Sequence, residues 1–203
     1  MSEVYLNICV PSGGAWTASF GYDLVMASTR FASQGGKVRM TMVQGSILPR
    51  NRADLVEESR KAGVTHLLWL DDDMRFPPDT IERLLDWGVD VVCAGYRKRN
   101  TPTESTATDL AGRHVFSEGK TGLDAIAQAG MGVMLTTLDA FDKIEQPYFM
   151  FGYIQETNEY VGEDTLLCSK WRDAGISIFI DHDLSNEVGH TNDFVIMSDG
   201  LIK

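Results

Sequence analysis

A chain of 203 residues, 43% hydrophobic and 23% charged, has the material for one sizeable core, which predicts a single domain over residues 1–203. No apolar run approaches the roughly 20 residues needed to cross a bilayer, so the expectation is a soluble, cytoplasmic protein with no membrane span. With 18 Lys and Arg against 29 Asp and Glu, the net charge of −11 counts against a protein that coats nucleic acid by neutralising phosphates. A local basic stripe such as Arg97-Lys98-Arg99, or Arg50 with Arg52, can still approach a polyanion inside an acidic molecule. Cys9, Cys93 and Cys168 are odd in number and far apart, and they sit in apolar segments, which predicts reduced core residues.

Residues 4–10 read as a buried strand ending in Pro11-Ser12-Gly13-Gly14, a turn that lets backbone approach a ligand. Residues 20–32 have helical spacing and stop near Gly35-Gly36, and 38–43 read as the next strand. After a loop at 46–49, residues 52–62 predict a helix with Ala53, Leu55 and Val56 inward, followed by a strand over 65–70. Pro77-Pro78 interrupts the chain, and Asp79 with Glu82 predicts a capping box for a helix burying Ile81, Leu84 and Leu85. A strand over 89–94 follows.

Residues 100–122 show no period and predict loops with room for one hairpin. A short strand over 130–135 and a short helix over 137–144 come next, then an aromatic loop region at 146–161 that can order over a substrate. Residues 164–174 predict a helix with Leu167, Cys168, Trp171 and Ala174 on one face, and 176–180 the last clear strand. Alternating strands and helices imply a parallel sheet covered on both faces, an α/β sandwich. In such sheets ligands collect at the carboxyl ends of strands.

The most informative stretch lies at one of those ends. In His66-Leu67-Leu68-Trp69-Leu70-Asp71-Asp72-Asp73-Met74 an apolar strand runs into three carboxylates. Carboxylate oxygens suit Mg²⁺ or Mn²⁺, and Mg²⁺ commonly leaves positions open to water and substrate phosphates. Taken alone, the triplet also reads as a strand leading into an acidic turn. Further along stand Gly162-Glu163-Asp164 before a helix, Asp181-His182-Asp183 after a strand, and His190.

Together these elements resemble the nucleotide-sugar glycosyltransferases of the GT-A fold, and the small family-2-like transferases in particular. The resemblance runs from Val4 to about Asn192 and takes in Pro11-Ser12-Gly13-Gly14, an Arg-Asn pair opening a helix, the aspartate strand, the segment Gly130-Met131-Gly132-Val133-Met134-Leu135, the Gly-Glu-Asp helix start and a late histidine. It implies a GT-A (Rossmann-like) three-layer α/β/α sandwich with a mostly parallel central sheet. It also implies metal-dependent transfer of a sugar from a nucleotide-sugar donor, a UDP-sugar, to an acceptor hydroxyl. Stand-alone cores of this size resemble bacterial and bacteriophage transferases, whose acceptors include glycans and, in some phages, hydroxylated DNA bases.

The implied roles follow what glycosyl transfer demands, since a departing diphosphate needs a cation and donors around it. By resemblance, Asp73 ligates Mn²⁺ or Mg²⁺, with Asp71 and His190 as further ligand candidates. Asp71 also binds nucleoside or ribose, and Asp72 contacts the donor sugar. Three aspartates permit two registers of the Asp-x-Asp signature. The family often has a glycine shortly after the histidine, where this chain reads His190-Thr191-Asn192. Asp164 matches the base that takes the acceptor proton, with Glu163 positioning acceptor or donor. Acids at a helix start are also favoured by its dipole alone. Pro11, Ser12 and Gly13, with Arg50, Asn51 and Arg52, fall where the nucleotide is bound, and which arginine matches is open by register. Gly130 and Gly132 either admit the donor closely or serve strand packing. His182 competes with His190, His66 reads as packed, and Tyr148, Phe149, Phe151 and Tyr153 either stack on a sugar or form an apolar cluster.

Three other readings remain. A nucleotidyltransferase shares the sheet and the cation, but normally has a basic Gly-rich loop where Pro11-Ser12-Gly13-Gly14 has no neighbouring Lys or Arg. A phosphatase with a nucleophilic aspartate usually places its motif on the first strand. A sugar-nucleotide or glycan-binding module without turnover is the non-enzyme alternative.

Overall fold

The computed structural model describes residues 4–99, 104–156 and 158–191. In chain order its first half contains β1 (Tyr5–Ser12), α1 (Ala18–Ser33), β2 (Lys37–Gln44), α2 (Leu48–Lys61), β3 (His66–Leu70), β4 (Met74–Arg75), α3 (Thr80–Asp86) and β5 (Val91–Cys93). The second half contains β6 (Leu123–Ile126), β7 (Val133–Thr137), α4 (Asp139–Asp142), β8 (Gly152–Ile154), β9 (Glu159–Val161), α5 (Glu163–Asp173), β10 (Ile178–Asp181), α6 (His182–Ser185) and β11 (Gly189–His190).

Seven strands form the central sheet in the order β2-β1-β3-β7-β5-β10-β6. β2, β1, β3, β5 and β10 run one way, while β7 and β6 run against them. The alternation of side chains along each strand divides the core into two layers. Leu67 and Trp69 of β3 pack with Leu55 and Val56 of α2, Phe141 of α4, and Leu167, Cys168 and Trp171 of α5. Leu68 and Leu70 pack on the other face with Phe20, Leu24 and Ala27 of α1 and Ile81 and Leu84 of α3. The result is a Rossmann-like three-layer α/β/α sandwich of mostly parallel strands. Among the described residues, no helix is long and apolar enough to cross a membrane.

Several boundaries differ from the expectation, each for a physical reason. β1 continues through Pro11 and Ser12, which pair with Val43 and Gln44 of β2. Pairing with β3 stops at Cys9↔Trp69, so the missing N–H of Pro11 falls where that side of the ladder has ended. α2 starts within the expected loop, because Pro49 is welcome in a first helical turn, where its N–H is not needed. The expected capping box does not form: Asp79 makes no side-chain cap bond, and Glu82 instead takes Arg30 Nε at 3.1 Å. β7 begins at Val133, leaving Gly130 and Gly132 in the turn before it. Ala174 caps α5 and is exposed rather than sharing its inward face. Among the elements without a clear sequence signal are the edge strand β6 and the hairpin of β8 and β9. Cys9, Cys93 and Cys168 are buried free thiols, and burial pushes all three up, Cys9 and Cys168 to about 12.

Candidate active site

Three chain segments bring the site residues to one end of the sheet. Asp71 follows Leu70 directly at the carboxyl end of β3, and its N–H donates to the Gly132 carbonyl at 3.1 Å. Ser12 closes β1 three positions beyond the last β1–β3 pair. Glu163 and Asp164 open α5, where the helix dipole favours carboxylates.

The three aspartates face three different partners. Asp71 Oδ1 accepts from Arg52 Nη2 at 2.9 Å. Asp72 Oδ2 accepts from Ser12 Oγ at 2.6 Å, and Ser12 Oγ in turn accepts the Gly14 N–H at 3.1 Å. Asp73 pairs with Arg99 Nη2. In the Pro-Ser-Gly-Gly turn, Gly14 has the conformation that requires glycine, with φ of +139°, while a Cβ on Gly13 would meet open space.

Arg52 organises the interior of the site. Its guanidinium is 2% exposed and donates from Nη1 to Glu163 Oε1 at 2.5 Å as well as to Asp71. Burial works against its charge, yet Asp71, Glu163 and Asp164 together hold it protonated, above its ordinary value. Burial pushes Glu163 up, against the opposing pull of Arg52. Arg52 Nε is buried with no partner among the described residues, a donor of the kind a ligand or water satisfies.

Residues 50–52 separate by helix geometry. Arg50 lies in solvent with Asp54 at 3.8 Å. Asn51 is buried and donates to the Gly45 carbonyl at 2.9 Å, and a Cβ on Gly45 would strike its Oδ1 at 2.6 Å. Arg52 is therefore the arginine that joins the carboxylates, while Asn51 fixes the loop that enters α2.

His190 reaches the site through the short pair of β11 with β4, in which it stands opposite Met74, next to Asp73. The Thr191 N–H donates to the Asp73 carbonyl at 2.6 Å. His190 Nδ1 lies 3.2 Å from the Arg97 carbonyl and donates to it, which leaves Nε2 as the free lone pair of the neutral ring. His182 has no such freedom. It is 1% exposed, with Nδ1 at 2.8 Å from Ser117 Oγ and Nε2 at 2.9 Å from Asp124 Oδ2.

For a divalent cation, the chemistry of these donors fits, since carboxylate oxygens and a neutral imidazole suit Mn²⁺ and carboxylates suit Mg²⁺. Among the described residues no three His, Cys, Asp or Glu side chains are gathered into a ready metal cluster. Asp71 is turned to Arg52, whereas Asp73 and His190 adjoin each other. A site of one or two protein donors, completed by phosphates and water, is what Mg²⁺ commonly uses.

Gly130 and Gly132 have a packing reason for being glycine. A Cβ on either would lie 2.6 Å from Tyr96 Oη, and on Gly132 also 3.0 Å from Met74 Sδ. Tyr96 carried no clear signal of a site role in the sequence. Its Oη accepts the Gly132 N–H at 3.0 Å, and its ring meets His190 edge-on with centroids 4.9 Å apart. Burial, with Asp71 adding to it, raises its phenol well above 10.0. Tyr96 thus acts as a neutral wall between the turn before β7 and His190.

The expected aromatic group splits. Tyr148 and Phe149 are buried around Phe141, while Phe151 and Tyr153 are exposed. His66 is half-buried with Nδ1 2.8 Å from Thr65 Oγ1.

The chain shares its fold with a solved structure. It is similar to the crystal structure of A197 from STIV, with a TM-score of 0.61 and 15% sequence identity over 98% of this chain and 93% of that one. No family model and no curated protein matches the chain. At that identity the likeness establishes architecture, and the chemistry rests on the residues above.

One pH dependence follows. Burial lowers both His66 and His190 from the ordinary 6.5. Between that value and the depressed ones, the unfolded chain binds protons that the folded chain refuses, so stability is full above 6.5 and is lost as pH falls through the folded values. Urea midpoints between neutral and mildly acidic pH should decline in the wild type and decline less in the double variant His66→Gln/His190→Gln. Parallel curves for the two proteins would exclude these imidazoles as the cause.

Proposed function

We propose that this chain is a glycosyltransferase of the GT-A type that moves a sugar from a nucleotide diphosphate donor, a UDP-sugar, to an acceptor hydroxyl. The observation that carries this reading is convergence. Asp71, Asp72 and Asp73 leave β3 toward Arg52, Ser12 and Arg99, and Glu163 brings the first turn of α5 onto the same arginine. The carboxyl ends of β1 and β3, where this occurs, are where α/β sheets bind nucleotides.

The residues divide the work by their surroundings. Glu163 is buried on Arg52, so its part is to hold that guanidinium and, through it, Asp71. Asp164 is half-buried and makes no ion pair among the described residues, which leaves it able to accept a proton from an incoming hydroxyl. A Cβ on Gly162 would come within 2.7 Å of Asp164 Oδ1, so glycine there keeps space for that carboxylate. Asp73 and His190 Nε2 are the two donors assigned to Mn²⁺ or Mg²⁺. Bound there, the cation supplies positive charge to the departing diphosphate.

The test is thermal unfolding with UDP, GDP, CMP and ADP, each with and without Mn²⁺. One nucleotide should raise the melting temperature in a Mn²⁺-dependent way, because saturation to 100 times Kd stabilises the folded state by about 2.7 kcal/mol. Asp73→Ala should remove the Mn²⁺-dependent part. The same shift in both proteins would rule out Asp73 as a ligand, and no shift with any nucleotide would remove the donor site.

A further inference from the structure

Directly before the acidic start of α5, the β8–β9 hairpin holds a cluster of large side chains in solvent. Tyr160 is 84% exposed, Phe151 59%, Tyr153 48% and Ile154 42%. Tyr153 and Tyr160 are direct cross-strand partners, so they share a face, and their rings stand 5.1 Å apart at 57°. The root of the hairpin is fixed to the site. A Cβ on Gly152 would lie 3.0 Å from Leu166 Cδ1 and 3.4 Å from Val161 Cβ, which packs the hairpin on the first turn of the helix bearing Glu163 and Asp164. Asp164 lies four positions after Tyr160, a span of at most ~14 Å even when fully extended.

We propose that this aromatic hairpin is the acceptor platform and that the acceptor is a neutral glycan, an inference that rests on the transferase reading above. A pyranose offers an apolar C–H face bordered by hydroxyls, and the hairpin offers the matching surface. Tyr153 and Tyr160 supply ring faces and phenol groups, while Asn158 and Glu159 supply oxygens that accept sugar hydroxyls. Tyr153 Oη donates to Asn158 Oδ1, which orders that edge of the platform. The position of the platform, continuous with the base through Val161 and Gly162, assigns it to the molecule that gives up a proton.

Charge decides against a nucleic-acid acceptor. Residues 150–161 contain Glu156 and Glu159 and no Lys or Arg. The basic stripe that would have met a polyanion is already engaged, Arg97 with Glu118, Lys98 with Glu104 and Arg99 with Asp73. Phosphate binding depends on cations free to displace counterions, and this surface instead presents carboxylates.

The experiment is retention of the full-length protein on immobilised neutral di- to tetrasaccharides of glucose, galactose and N-acetylglucosamine, beside duplex DNA and heparin. The wild type should bind a neutral class in preference to either polyanion. Tyr153→Ala and Tyr160→Ala should each weaken that binding by about tenfold, the equivalent of one aromatic contact. Tyr22→Ala, which removes a 65% exposed tyrosine of α1, should not, so general stickiness of tyrosine is controlled. Wild-type protein that binds no neutral glycan, a double variant Tyr153→Ala/Tyr160→Ala that binds as the wild type does, or preferential retention on DNA would overturn the proposal. So would a concentration-dependent dimer abolished by Tyr160→Ala, which would make the hairpin a self-contact. Failure of the transferase reading looks different: UDP with Mn²⁺ would then leave the melting temperature of every variant unchanged, whatever the hairpin binds.

Discussion

Asp164→Asn should reduce transfer by about 10²–10⁴-fold, the usual contribution of a positioned general base, with little change in melting temperature. Asp164 Oδ1 accepts the Thr165 N–H at 2.7 Å, and an amide oxygen can take over that bond at the helix start. What the amide cannot do is accept the acceptor proton. The variant should therefore keep the Mn²⁺-dependent stabilisation by nucleotide and lose the chemical step, which single-turnover transfer separates from binding. Inversion at the anomeric carbon, read from the product by NMR, is the companion result. Retention of configuration, or an Asn variant as fast as the wild type, would leave Asp164 without this role. Glu163→Gln differs in kind, because it disturbs the buried ion pair with Arg52 and should lower stability as well as rate.

The contrast between these neighbours shows which parts of the site were legible in the sequence. Both acids read as helix-start carboxylates, which a helix dipole alone favours, and their assignment to the site came from the resemblance and not from the local pattern. Their division of labour depends on Arg52, 111 positions away from Glu163 in the chain, and no local pattern carries that distance. The choice between Arg50 and Arg52 needed the rotation of α2, which turns one guanidinium to solvent and buries the other. The layers of the fold were legible because apolar runs such as 67–70 show them. β6 was not, because Leu-Asp-Ala-Ile is a short edge strand with exposed Asp124 and Ala125 and little apolar signal. The hairpin was hidden for a related reason. Its strands have three residues each, and their exposed tyrosines break the usual rule that aromatic residues mark a core.

Arg52→Met should cost about 3–5 kcal/mol of stability, the range expected when one member of a buried ionic group is removed and the other is left charged. Two carboxylates then face each other across the space the guanidinium filled: Glu163, 5% exposed, and Asp71 at the end of β3. A hydrophobic side chain of similar length replaces the volume and not the charge. The companion variant Arg52→Met/Glu163→Gln should recover part of the loss, since a neutral amide has no buried charge to desolvate. Acid should also relieve the single variant. Burial already raises Glu163 above its ordinary 4.5, and loss of Arg52 removes the pull that opposes this shift. A raised folded value means stability that is fully present below 4.5 and lost as pH rises through the folded value, so the deficit of Arg52→Met should shrink on acidification. Urea unfolding of the wild type, the single and the double variant across mildly acidic to neutral pH measures all three effects. A single variant as stable as the wild type at neutral pH would show that Arg52 does not hold the site together. A deficit that ignores both pH and Glu163→Gln would trace the loss to packing of α2 instead of charge.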